Sequence, residues 1–430
     1  MSPPVTPVLS IVPTRALVDE TFRVLVENLP PGFPVTIHSL HQSETEDQWE
    51  AYGYYLSDQR GTVCVADDLS FGGTYTGKEP MGLLWSMRPV PGSDEGLRLR
   101  KVDVCAPMLV NISVYSGHEG FRKQAPLASA LTERWYMAPG VQRIDIKENG
   151  VHGTLFIPPG PGPFPGLLDI WGGGGGLFEY RAALLASHGY AALALLYLAN
   201  GELRSVAGEL LRYFEAAFNI VKHHPQVMPD RVGLFGLSLG SIMTINLTAQ
   251  SSAIKPRCCV CISGTHSFPH GKTLSGIYKE LGHKVLYFYK VHLDENNYQI
   301  WRGMGLAILS DPTYKVDVKK INCPMLLVSG HDDQNWPSVE SAVDITQIMR
   351  AAGKEHLLTR LEYPDTGHLI EPPFSPHFRA TKFIMNSRKE KAILLWGGQT
   401  KPHADAQEDS WMKILSFLRQ HLYCTPTAKL

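Results

Sequence analysis

Residues 230–241 restrict the fold of this chain more than any other stretch. They read Asp-Arg-Val-Gly-Leu-Phe-Gly-Leu-Ser-Leu-Gly-Ser. Residues 232–235 form a short apolar run of the kind that becomes a strand buried on both faces. The run ends in Gly236-Leu237-Ser238-Leu239-Gly240, a Gly-x-Ser-x-Gly pattern, and residues 242–249 continue with small and apolar side chains at helical spacing. Strand, sharp turn and helix is the setting in which a serine becomes an exposed nucleophile. The serine there needs a strained backbone with close neighbours, which predicts that Gly236 and Gly240 have no room for a Cβ. In a chain with 39 glycines the five-residue pattern arises easily by chance, so the flanking strand and helix carry the inference. The competing reading is a solvated serine in a glycine-rich turn.

A serine hydroxyl attacks poorly at neutral pH unless a base takes its proton and a third group orients the base. In folds with this elbow the order along the chain is serine, acid, histidine. After the strand-like Met325-Leu-Leu-Val-Ser-Gly330 comes His331-Asp-Asp-Gln-Asn-Trp-Pro337. A strand ending in Gly-x-x-Asp with proline soon after favours Asp333 over Asp332 as the acid. The base expected is His368, in Gly367-His-Leu-Ile-Glu-Pro-Pro373 after a late strand, with His331 and His377 as rivals among 17 histidines. An oxyanion needs two preorganised donors. One is the backbone N–H of Leu239; the other is expected from Gly173 or Gly174 in Trp171-Gly-Gly-Gly-Gly-Gly176. A phosphate cradle is disfavoured there, because the Lys-Ser/Thr end of a P-loop is missing.

The rest of the chain frames this centre. Up to residue 140, short runs of alternating apolar and polar residues are punctuated by turn signals, as in 22–27, 34–39, 49–56, 61–66 and 109–115. They predict an all-β sandwich domain over 1–140. Residues 82–87 are apolar enough for its core or for its seam with the next domain. Asn149-Gly150 between alternating runs predicts a hairpin. Strands then alternate with helices, including a helix over 203–221 with Val206, Leu210, Phe214, Phe218 and Val221 on one face, and a last helix over 408–421. That alternation predicts an α/β domain over 141–423 with a parallel sheet covered on both sides. Between 264 and 321 it lapses into an aromatic insertion, with His266, Pro269, Tyr278, Leu286, Tyr287, Phe288, Tyr289 and Trp301, read as a cap lining an apolar acyl pocket.

Composition removes several alternatives. Charged residues are 19% of the chain and the net charge is −1, which gives no electrostatic case for nucleic acid. No apolar run approaches the length of a membrane-spanning helix. The amino terminus lacks the features of a signal or transit peptide. Seven cysteines show no paired Cys-x-x-Cys spacing, and Cys258-Cys-Val-Cys-Ile262 reads as a buried strand, so neither a metal nor another cofactor is expected.

With these residues in place the chain resembles the acyl-CoA thioesterase and bile acid-CoA:amino acid N-acyltransferase family. The resemblance rests on Pro80-Met-Gly-Leu-Leu-Trp85, Pro163-Phe-Pro-Gly166, Glu179-Tyr-Arg-Ala-Ala-Leu-Leu185 and Gly367-His-Leu-Ile-Glu-Pro-Pro373, and spans nearly the whole chain. It implies an α/β-hydrolase domain preceded by the β-sandwich, and acyl-CoA thioester cleavage by Ser238, His368 and Asp333. Members with cysteine in the elbow pass the acyl group to glycine or taurine, whereas members with serine pass it to water. Ser238 therefore implies hydrolysis, with amino-acid acylation as the alternative. The carboxyl-terminal Ala428-Lys429-Leu430 is a relative of the Ser-Lys-Leu peroxisomal signal, on a tail of residues 424–430 that an import receptor could grip, with the cytosol as second choice.

Overall fold

Asn149 and Gly150 both adopt positive φ (52° and 77°), the conformation that a two-residue turn matched to the twist of paired strands demands. They join β1 (Gln142–Glu148) to β2 (Val151–Ile157), which pair antiparallel from Glu148–Val151 to Gln142–Ile157. In this computed structural model, residues 6–199, 202–204, 209–268, 292–385 and 390–424 are described. Six more strands complete one sheet: β3 (Phe164–Ile170), β4 (Ala191–Leu195), β5 (Val227–Leu237), β6 (Cys259–Ile262), β7 (Met325–Gly330) and β8 (Leu358–Tyr363). Their order is β1-β2-β4-β3-β5-β6-β7-β8. β2 meets β4 antiparallel, and every pairing from β4 to β8 is parallel. Strands at the centre, such as Ala-Ala-Leu-Ala-Leu in β4, are buried at every position, as the lack of polar alternation requires.

Among the described residues, the helices that pack on this sheet include α1 (Tyr180–Ser187), α2 (Leu210–Lys222), α3 (Leu239–Gln250), α4 (Ser338–Ala351) and α5 (Thr400–Leu418). α2 buries Phe214, Phe218 and Val221 of the expected stripe, together with Tyr213 and Ala217, while Leu210 is only partly buried. It starts later than the sequence suggests, however. Leu203 is held extended in a two-strand pairing of Leu198–Ala199 with Glu202–Leu203, so the helix cannot begin there, and Val206 lies outside the described residues. α5 starts earlier than the expected residue 408. Pro402 falls in its first turn, where the missing N–H has no helical acceptor to lose.

The chain divides into two compact units, 1–136 with 371–377, and 137–370 with 378–430. The first contains a six-stranded sheet in the order Arg15–Leu17, Ala128–Trp135, Met108–Ser116, Pro34–Gln42, Gln48–Leu56, Arg88–Pro89, and a three-stranded sheet of Val8–Val12, Arg23–Glu27 and Val63–Cys64. Of the strand expected over 61–66, only Val63–Cys64 pairs, and the apolar run at 82–87 forms a four-residue helix, Gly82–Trp85, that is wholly buried. The stretch expected to be continuous over 141–423 is interrupted, because 371–377 group with the first unit.

The aromatic insertion is described only in part: 269–291, including Pro269, Tyr278, Leu286, Tyr287, Phe288 and Tyr289, lie outside the described residues. Its later part supplies His292–Leu293 and Gln299–Ile300 to a small sheet with Glu390–Leu395 and Ala380–Met385. Among the described residues no helix is long and apolar enough to cross a membrane.

Candidate active site

The turn between β5 and α3 has the strain its sequence calls for. Ser238 sits at φ 57° and ψ −120°, a conformation that side chains avoid and that costs roughly 1–3 kcal/mol. Surrounding bonds hold it there. Its N–H donates to Ile262 O at 2.8 Å, and its carbonyl accepts from Ser241 and Ile242 N–H at 2.9 and 3.1 Å. A Cβ at Gly236 would lie 2.3 Å from Gly240 O, and one at Gly240 only 1.9 Å from Ile170 O. Backbone fills both positions, so both glycines are required.

Three loops at the carboxyl ends of the parallel strands bring the expected residues together. His368 Nε2 lies 2.8 Å from Ser238 Oγ, and His368 Nδ1 lies 2.8 Å from Asp333 Oδ2. With the hydroxyl donating to Nε2, the ring proton sits on Nδ1 and faces the carboxylate. His368 and Asp333 are fully buried, while Ser238 keeps 9% of its surface. Asp333 cannot swing away. Its Oδ1 accepts from the N–H groups of Asn335 and Trp336 at 2.9 Å each, and its Oδ2 also accepts from Ser338 Oγ at 3.1 Å.

Asp332, the rival acid, has another task. Its carboxylate accepts from Gln334 Nε2 at 2.6 Å and from the N–H of Gly398 at 2.7 Å, fastening the acid loop to a loop that follows Trp396. Trp396 is a residue that sequence reasoning missed. Its indole stacks on the His368 imidazole, with centroids 5.5 Å apart and planes 16° apart. Its carbonyl accepts from both His368 N–H (2.9 Å) and Gln334 N–H (3.3 Å). The loops touch backbone to backbone: a Cβ at Gly367 would lie 2.4 Å from Gly397 O, and one at Gly397 1.9 Å from Asp332 O. Of the rival bases, His331 is half-exposed with Nε2 3.4 Å from Glu362, and His377 belongs to the first unit.

Leu239 opens α3, and the first N–H groups of a helix have no partner within it. In the glycine run, Gly172 abuts the nucleophile: a Cβ there would be 3.3 Å from Ser238 Cβ. Gly173 and Gly174 follow it directly. Aromatic residues brace this loop. Tyr197 donates to Trp171 O at 2.5 Å, and Trp171 Nε1 donates to Tyr180 OH at 2.8 Å. These aromatics are spread over 171–197, and no local pattern announces their convergence.

A second serine, histidine and aspartate grouping lies in the same unit. His266 Nδ1 is 2.8 Å from Ser341 Oγ, which also accepts the His266 backbone N–H at 3.0 Å. His266 Nε2 is 3.1 Å from Asp344 Oδ2, and Lys315 Nζ reaches the same oxygen at 2.6 Å. Burial pushes the His266 imidazole down to about 4, against the opposing pull of Asp344.

Residues 19–148 match the family described as "Acyl-CoA thioester hydrolase/BAAT N-terminal region", and residues 210–424 match "BAAT / Acyl-CoA thioester hydrolase C terminal". The chain is 36% identical over 422 residues to the peroxisomal succinyl-coenzyme A thioesterase of Mus musculus, covering 97% of each chain. It is also 36% identical over 434 residues to the bile acid-CoA:amino acid N-acyltransferase of Mus musculus, covering 96% of this chain and 97% of that one. Among solved structures, a thermostable esterase from Pseudomonas putida aligns with a TM-score of 0.42 and 15% identity, over 67% of this chain and 85% of that one.

Proposed function

This chain belongs to the BAAT and acyl-CoA thioester hydrolase family, and from that premise we propose that it cleaves acyl-CoA thioesters with water through an acyl group carried on Ser238. The observation that carries the reading is the continuous set of contacts from Ser238 Oγ through His368 to Asp333, each 2.8 Å long. His368 Nε2 takes the hydroxyl proton as Oγ attacks the thioester carbonyl. The resulting oxyanion is assigned to the N–H of Leu239 and that of Gly173 or Gly174. When the C–S bond breaks, the imidazolium gives its proton to the CoA sulfur. His368 then deprotonates a water that attacks the acyl ester, and the free acid leaves as Ser238 recovers its proton. Asp333 holds the ring tautomer and stabilises the imidazolium in both steps.

Water is favoured over an amine as acceptor by the chemistry of the intermediate. Acyl-Ser238 is an oxygen ester, and amines attack such esters less readily than they attack thioesters, which an acyl-cysteine would retain. Incubation with a panel of acyl-CoAs, with and without taurine or glycine, is expected to yield mainly free acid by mass spectrometry. Predominant amide product would overturn hydrolysis in favour of amino-acid acylation. Ser238→Cys is expected to slow hydrolysis and raise the amide-to-acid ratio where an amine can enter.

We also assign peroxisomal import to Ala428, Lys429 and Leu430, which lie outside the described residues. Support comes from the anchored chain before them: Arg231 donates to the carbonyls of Leu422 and Tyr423 at 2.9 and 2.5 Å. Deleting the tripeptide is expected to leave activity intact and send a tagged protein to the cytosol. A truncated protein that stays punctate would remove this assignment.

A further inference from the structure

The catalytic base is gripped by a second histidine that the triad does not include. His403 lies in the first turn of α5 and is 1% exposed. Its Nδ1 accepts the backbone N–H of Gly367 at 3.1 Å, and its Nε2 donates to the carbonyl of Leu369 at 2.8 Å. These roles are forced, because an amide N–H can only donate and a carbonyl can only accept. Both nitrogens are satisfied together in one protonation state, the neutral ring with its proton on Nε2.

The two backbone groups flank His368, whose own N–H is bound by Trp396 O at 2.9 Å. Three successive residues of the base loop, 367–369, are therefore each tied by a backbone group to the stretch 396–403. The His368 ring meets Ser238 and Asp333 at 2.8 Å each, and Asp333 is itself held by Asn335, Trp336 and Ser338. A misplacement on the order of 1 Å at such a centre can cost about a hundredfold in rate.

We propose that His403 is a positioning residue for the reaction: as the neutral Nε2–H tautomer it clamps the peptide groups on either side of His368 and so sets the base against the nucleophile. It touches no reacting atom. The proposal rests on His368 being the base, and His368→Ala tests that premise separately.

The full-length protein is tested with p-nitrophenyl acetate turnover and with the rate of fluorophosphonate labelling at Ser238. His403→Phe keeps a ring of similar size and removes both hydrogen bonds. It is expected to lower kcat and the labelling rate together by roughly 10- to 100-fold, with KM changed less than about twofold. His403→Gln offers an acceptor and a donor on one planar group, and is expected to recover activity to within about fivefold of wild type. A folded His403→Phe with wild-type kcat, or a His403→Gln no better than it, overturns the clamp. Should His403→Phe fail to fold, imidazole nitrogen NMR of the wild-type protein decides: a proton on Nε2 at neutral pH is required, and the other tautomer overturns the proposal. If His368→Ala retains activity, the base assignment itself falls. A dead His368→Ala beside a fully active His403→Phe removes only the clamp.

Discussion

Among the described residues of the second unit, two groupings of serine, histidine and aspartate differ in build, and the first is the one we propose for catalysis. In the first, Ser238 stands on a strained turn, retains some surface, and faces Nε2 of His368 while Asp333 faces Nδ1. In the second the ring is reversed, with Nδ1 toward Ser341 and Nε2 toward Asp344. Ser341 lies within helix α4, is fully buried, and accepts a backbone N–H, so no acyl carbonyl can reach it. Asp344 is already paired with Lys315, which weakens its support for a charged ring, and burial holds His266 neutral. Three residue types at hydrogen-bond distance are therefore insufficient. Access, a strained turn that presents the hydroxyl to Nε2, and an acid facing Nδ1 of the base separate the two sites.

The largest effects should fall on the nucleophile and base. Ser238→Ala and His368→Ala are expected to lower turnover by roughly four orders of magnitude or more. Ser341→Ala should leave turnover within about threefold and act on stability instead. Comparable losses in Ser238→Ala and Ser341→Ala would erase the distinction between the sites.

A smaller contrast separates the adjacent acids. Asp333→Asn should cost on the order of 10²–10⁴ in kcat, because the amide disturbs the ring tautomer. Asp332→Asn should cost about tenfold or less, acting through the loop that its carboxylate fastens. Kinetics of the two variants that ranked in the opposite order would move the acid to Asp332.

The smallest expected effect is thermodynamic and belongs to the closed site. His266 titrates near 4 when folded, below the ordinary value of about 6.5. The unfolded chain therefore binds this proton first. The stabilisation is complete above about pH 6.5 and declines as pH falls toward 4, by at most about 3 kcal/mol. Urea unfolding at pH 7 and pH 4.5 should show a smaller pH difference for His266→Gln than for wild type. Equal differences in the two proteins would mean that His266 does not contribute to the acid sensitivity.

Local chemistry made the clustering of Ser238, Asp333 and His368 legible and left their support hidden. Gly236 and Gly240 announced the elbow because strain and close backbone contact leave a glycine signature. Asp333 was distinguishable from Asp332 by its distance from the end of β7. Trp396 and His403 gave no comparable sign, since each acts through backbone groups about 30 residues away in the chain. A tryptophan ending an apolar run reads as ordinary core, and a histidine in the polar stretch Thr400-Lys-Pro-His-Ala-Asp405 reads as a solvated residue. The segment 371–377 illustrates the same limit, because unit membership follows tertiary packing while sequence continuity suggested one uninterrupted domain.

The clamp on the base loop also has a bearing on how the protein is made. Ser238 and His368 are 130 residues apart, and the groups that fix His368 follow only at 396–403. Loops this long close late, since their entropy must be offset by contacts formed at the end of folding. Helices and the local β1–β2 hairpin can form early, but a reactive serine requires almost the entire unit to be assembled. During refolding, fluorophosphonate reactivity should lag the recovery of helical circular dichroism. A nascent chain still short of α5 should already contain Ser238 and remain unlabelled.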